Sequence, residues 1–130
     1  MGWVRISDDY YDHAKFTAIG PLEHALWLAG MAWCNRNLTD GVIPRSAVLR
    51  FIDWEGVMDV LELVVDGNAA SNAVTNGWGN RRVAEAVAAR LVKAGLWVEM
   101  PNGYEVHDYL IYQRSAAQIT EAARANAARQ

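Results

Sequence analysis

One cysteine in 130 residues, Cys34, leaves no partner for an intramolecular disulfide and no thiolate set for zinc, and it fits a reducing compartment. No apolar run approaches the roughly 20 residues that span a bilayer. The opening residues Met1 to Tyr10 lack the basic start and apolar stretch of a signal peptide. The expectation is a soluble chain that stays in the cytoplasm and touches no membrane. Net positive charge is missing as well: 12 Lys and Arg against 15 Asp and Glu give -3. The surface as a whole is therefore not the basic shell of an indiscriminate nucleic-acid binder, and any such binding has to be local.

What is present is the balance of one globular domain, 52% hydrophobic and 21% charged, with six tryptophans and five tyrosines available to fill a small core. Trp3-Val4-Arg5-Ile6 alternates before the polar Ser7-Asp8-Asp9 and predicts a short edge strand. From Pro21 to Asn37, Leu22, Leu26, Ala29 and Trp33 keep helical spacing, and Trp27, Leu28, Met31 and Ala32 spread apolar character around the cylinder. This predicts a central, mostly buried helix with proline in its first turn. Gly41-Val42-Ile43-Pro44 is long enough to pair once with a hairpin elsewhere, and Pro44 opens a helical segment from Arg45 to Phe51.

Val57, Met58, Leu61, Val64 and Val65 mark a further amphipathic helix within a stretch, Asp53 to Asp66, that holds five acids and no base. Gly67 to Asn80 reads as a long loop, with Asn80 capping a helix from Arg81 to Ala94 that Gly95 terminates. Leu96 to Tyr109 reads as a hairpin around Pro101-Asn102-Gly103. A three-residue loop with Gly103 left-handed aligns Leu96, Val98, Met100, Tyr104 and Val106 on one face, and leaves Trp97, Glu99 and Glu105 on the other with an acidic tip. After Ser115 an Ala-rich segment favours helix without a large apolar stripe. It predicts a projecting or fraying terminal helix.

Catalytic constellations are thin. Asp8, Asp9, Asp12 and His13 match no recurrent metal-ligand spacing. His107 and Asp108, read as neighbours on a strand, would point to opposite faces. His24 reads as a hydrogen-bonded residue of the central helix, and Cys34 as a buried small hydrophobe. Asn76-Gly77-Trp78-Gly79-Asn80 precedes a helix but has neither the Walker lysine nor dinucleotide spacing. No nucleophile, base and stabiliser can be named together, so no enzymatic activity, cofactor or metal is expected.

The bases are unevenly placed. Residues 1–80 hold five bases and ten acids, net -5, whereas residues 81–130 hold seven bases and five acids, net +2. Arg81, Arg82, Arg90 and Lys93 share one predicted helix, with Ala86 and Ala89 leaving room for close approach. A DNA groove accepts such a helix, and a solvated face balanced by Glu85 is the alternative.

The order strand, helix, one-pair strand, helix, helix, hairpin is that of a winged helix. The runs Leu38-Thr39-Asp40-Gly41-Val42-Ile43-Pro44, Leu91-Val92-Lys93-Ala94-Gly95-Leu96-Trp97 and Gly103-Tyr104-Glu105-Val106-His107-Asp108-Tyr109-Leu110-Ile111-Tyr112-Gln113, with Trp3-Val4-Arg5-Ile6 and His13-Ala14-Lys15, sharpen the likeness. Over Trp3 to Arg114 the sequence resembles the N-terminal winged-helix domain of actinobacterial phage and prophage replisome-organiser or replication-initiation proteins of the DnaD-like type.

The resemblance implies an α+β winged-helix domain over 1–114 and a helical extension over 115–130. It implies a non-catalytic module for double-stranded DNA, in phage replication or transcription regulation, in the cytoplasm of a bacterial host cell. It places Arg81, Arg82, Arg90 and Lys93 on the recognition helix, and Arg45 and Arg50 on the preceding helical element. Glu99 and Glu105 argue against contact between the hairpin tip and DNA. The overall acidity and the terminal helix leave a second expectation open: a module that binds replication proteins or a second copy of itself without DNA.

Overall fold

A computed structural model describes residues 2–57 and 77–129. The fold is α+β: a small three-stranded antiparallel sheet with several helices packed on and around it. A 3-10 turn (Tyr10–Asp12) and α1 (Ala14–Thr17) lead into α2 (Pro21–Asn37). After β1 (Val42–Pro44) and α3 (Arg45–Val48) come α4 (Gly77–Lys93), β2 (Trp97–Met100), β3 (Gly103–Val106), α5 (Tyr109–Tyr112) and α6 (Ala116–Arg129). The expected helix over residues 57–65 lies outside the described residues except for its first residue, as does most of the expected loop over 67–80.

The central helix forms where proline and periodicity place it. Pro21 occupies the first turn, and the chain leaves through Leu38, held left-handed at φ 56° with its N–H donating to Cys34 O. Leu26, Trp27, Gly30, Met31 and Cys34 make its buried stripe, while Leu28 and Ala32 face outward. The helix is thus more one-sided than its composition suggests.

α4 begins at Gly77, so Asn80 sits within the helix instead of capping it. Its far end is a Schellman motif: Leu96 N donates to Leu91 O and Gly95 N to Val92 O, both at 3.0 Å, around Gly95 at φ +81°. Ala84, Val87, Ala88 and Leu91 form its buried face, and α4 packs on α2 and β2.

The sheet order is β1-β3-β2. As expected, residues 42–44 pair once with the hairpin: Val42, Ile43 and Pro44 lie opposite Glu105, Tyr104 and Gly103. β3 and β1 approach so closely at Gly103 that an added Cβ would lie 2.0 Å from Ile43 O, which excludes any side chain there without opening the ladder.

The hairpin register differs from the expected one. Met100 pairs directly with Gly103, leaving a two-residue loop of Pro101 and Asn102 in which neither residue has positive φ. This one-residue slip turns β2 over, so that Trp97 lies opposite Val106 and inside, while Val98 and Met100 face water. Burying one indole removes more apolar surface than burying a valine, and Trp97 packs against Tyr104 with ring centroids 5.2 Å apart.

Trp3 to Ile6 form no strand. Their place at the body is held by Gln113, whose Oε1 accepts from Arg5 N at 2.8 Å and whose Nε2 donates to Arg5 O. A single buried amide supplies the donor and acceptor that a neighbouring strand would have offered. Behind this segment Tyr10, Phe16 and Trp27 form an aromatic cluster that docks the N-terminal turns on α2, with Phe16 and Trp27 edge-to-face at 4.7 Å.

Candidate nucleic-acid interface

α4 carries the basic residues on three sides of its cylinder. At 100° per residue, Arg82 and Lys93 fall about 20° apart and lie roughly 16 Å from each other along the axis. Ala86 and Ala89 lie between them, and all four are on the side opposite the buried Ala84, Val87, Ala88 and Leu91. The outward stripe therefore has a cation toward each end and small side chains in the middle, with no bulk to hold a partner away from the helix.

The other expected site residues are placed differently. Arg90, on one flank, is tied to Glu23 of α2: its Nε lies 2.5 Å from Oε1 of a carboxylate that is almost wholly buried. Arg90 thus neutralises an interior charge, and moving it to another anion would leave Glu23 buried and uncompensated. Arg81, on the other flank, is exposed and lines a cleft of about 330 Å³ together with Arg45, Ser46, Glu85 and Tyr104. Arg50 is exposed in the turn that follows α3. Among the described residues, Arg50, Arg81, Arg82 and Lys93 form no ion pair, whereas Arg45 and Arg90 do.

Arg45 is the most constrained guanidinium of the group. Its centre lies 5.0 Å over the Tyr104 ring, Nη1 donates to the Tyr104 hydroxyl at 3.0 Å, and Nη2 lies 2.7 Å from Glu99 Oε1. The Glu99 hydrogen bond holds the guanidinium's pKa above its ordinary value. Burial pushes the Tyr104 phenol upward, and Arg45 offsets part of that rise. Neither Glu99 nor Tyr104 is near Arg45 in sequence. Only the hairpin register sets them against α3, so reading the bases alone could not find them.

The other constellations among the described residues are engaged in local contacts. Among the described residues no group of three or more His, Cys, Asp or Glu could hold a metal ion. Ser7 bonds to Asp9, and His13 caps α1 by accepting from Lys15 N. His24 Nε2 lies 3.1 Å from Phe16 O, as expected of a hydrogen-bonded helix residue. His107 and Asp108 lie beyond the end of β3, where Asp108 turns left-handed at φ 59°, so strand alternation does not apply. Their side chains meet, Nδ1 to Oδ2 at 3.1 Å, at a half-exposed corner.

Cys34 is buried, with Sγ 3.8 Å from Val42 O. Burial pushes its thiol up to about 11 despite Thr39 and Gly41, which removes the thiolate a nucleophile would need. No helix among the described residues is long and apolar enough to cross a membrane. Comparison of the chain with models of protein families, with curated proteins and with solved structures returns no match.

Proposed function

We propose that this chain is a winged-helix module that binds double-stranded DNA without catalysis, laying α4 against the duplex. The observation that carries the reading is the outward stripe of α4, with Arg82 and Lys93 at its ends and Ala86 and Ala89 between them. Such a stripe fits a groove of the duplex, with the two cations on phosphates and the alanines allowing close approach. The sheet order β1-β3-β2, with β1 between α2 and α3 and the hairpin after α4, supports the winged-helix assignment. We further propose a role in phage-type replication or transcription regulation, the role that the resemblance read in residues 38–44, 91–97 and 103–113 implies.

The test is fluorescence anisotropy of a labelled mixed-sequence duplex across a salt series, comparing wild type with Arg82→Ala/Lys93→Ala. Wild type should bind saturably. The double variant should bind more weakly, and its dependence of log K on log salt should be shallower by about 1.8, because two fewer phosphates are neutralised. An unchanged slope removes these residues from the interface.

A second reading, a protein-interaction module, is favoured by one observation. Leu110, Ile111 and Tyr112 on α5 are 54%, 70% and 64% exposed, directly before a helix with no buried residue. Absence of DNA binding at low salt, together with a dimer mass by light scattering, would favour it.

A further inference from the structure

The cleft between α3, α4 and β3 is balanced in charge. Arg45 and Arg81 line it with Glu85, and Glu99 bonds Arg45 from the hairpin. Two guanidiniums thus meet two carboxylates. Neutral donors nevertheless line it as well: Ser46 and Tyr104 contribute hydroxyls, and Arg45 is held in one orientation by the Tyr104 ring and hydroxyl. A planar guanidinium fixed in this way is organised for a carboxylate or a phosphate oxygen alike. The oxygen it holds is Glu99 Oε1, on a side chain that is 61% exposed.

We propose that this cleft is a seat for one backbone phosphate of the bound duplex, with Arg45 and Arg81 as its cations, and that Glu99 occupies the phosphate's place on Arg45 and so withholds it. The inference rests on the DNA-binding reading and adds to it a restraint on affinity. Glu99 weakens binding twice, by engaging Arg45 and by presenting a negative charge where a phosphate would lie. Exchanging one oxyanion for another on Arg45 leaves the stacked guanidinium where it is, so no rearrangement of the core accompanies the exchange. The same geometry explains how an acidic residue in the hairpin and a basic residue on α3 can both belong to one anion site.

The experiment measures duplex affinity across a salt series for wild type, Glu99→Gln, Glu105→Gln, Arg45→Ala and Arg45→Ala/Glu99→Gln. Glu99→Gln keeps the shape of an exposed side chain, and its thermal midpoint should stay close to wild type. It should bind DNA about fivefold more tightly at low salt, with a salt slope steeper by about 0.9, since Arg45 then neutralises one more phosphate. Arg45→Ala should weaken binding, because it removes a cation of the seat and leaves Glu99 uncompensated, and Glu99→Gln in the Arg45→Ala background should relieve only that repulsion without steepening the salt slope. Glu105→Gln removes the same charge from a strand position that does not reach Arg45; it should have the smaller effect and leave the salt slope at the wild-type value.

Wild-type binding with Glu99→Gln indistinguishable from it, or matched by Glu105→Gln, or a steeper salt slope that Glu99→Gln still produces without Arg45, overturns the phosphate seat alone. Failure of both wild type and Glu99→Gln to bind at low salt overturns the DNA reading and the seat with it.

Discussion

Where α2, α4 and the sheet meet, Leu26, Ile43, Leu91 and Trp97 lose essentially all contact with water, whereas α6 runs for 14 residues without burying one. The first region is held by volume: large side chains fill a space that many neighbours define. The second is held by a few polar atoms at its start. Asp40 Oδ1 accepts from Ala116 N at 2.6 Å, and Ser115 and Gln118 form a reciprocal capping box, with Gln118 N donating to Ser115 Oγ and Ser115 N to Gln118 Oε1. Packing is shared among neighbours and fails cooperatively, whereas a cap is local and fails alone. The two regions should therefore answer mutation and pH in different ways.

The largest effect belongs to the packed region. Trp97→Ala should cost about 3–5 kcal/mol, because the indole lies between Gly30 of α2 and Tyr104 and the cavity it leaves cannot close. The measurement is the denaturant midpoint, and a loss below about 1 kcal/mol would show that the core repacks freely and would erase the contrast.

A smaller effect of opposite origin is expected with alkali. Burial raises Cys34 from 9.0 to about 11 and Tyr109 from 10.0 to about 12, so both hold their protons more tightly folded than unfolded. Their contribution to stability is fully present below about pH 9 and is lost as pH rises through 11 and 12, since the unfolded chain releases those protons first. Denaturation curves at about pH 8 to 11 should show that decline, and Cys34→Ala should flatten its lower part. A slope unchanged by the substitution would take Cys34 out of the linkage.

The smallest global effect should come from Ser115→Ala. It removes about 1 kcal/mol of capping, read as faster amide exchange confined to α6 while the core amides keep their protection. Loss of protection across the whole domain would show that α6 and the core are one cooperative unit.

The boundaries of α2, the single pairing of residues 42–44 and the stop at Gly95 were legible because each is written locally, by a proline, a short β-branched run or a glycine. The hairpin register was not. Leu96-Val98-Met100 and Trp97 offered competing faces, and the choice between them was made by the space left by α2 and by Gly103 against Ile43. The edge strand at Trp3 to Ile6 failed for a related reason: alternation describes a half-buried surface, and Gln113, 108 residues after Arg5, supplies hydrogen bonds that alternation cannot reveal.

At the candidate interface, periodicity separated the outward Arg82 and Lys93 from the buried face of α4. It could not show that Arg90 neutralises Glu23 or that Arg45 answers to Glu99, because both partners are remote in sequence. A list of bases is thus a list of charges, and only the fold says which of them are already engaged.

The anchoring of α6 at its first residue has a mechanical side. A helix of 14 residues is about 21 Å long, so a change of roughly ten degrees in bearing at Asp40 would carry the far end through nearly 4 Å. The helix is a lever whose pivot is one carboxylate oxygen on a residue held left-handed at φ 54°. A fluorophore near Arg129 would magnify any loosening of that pivot into a displacement that distance measurements can resolve.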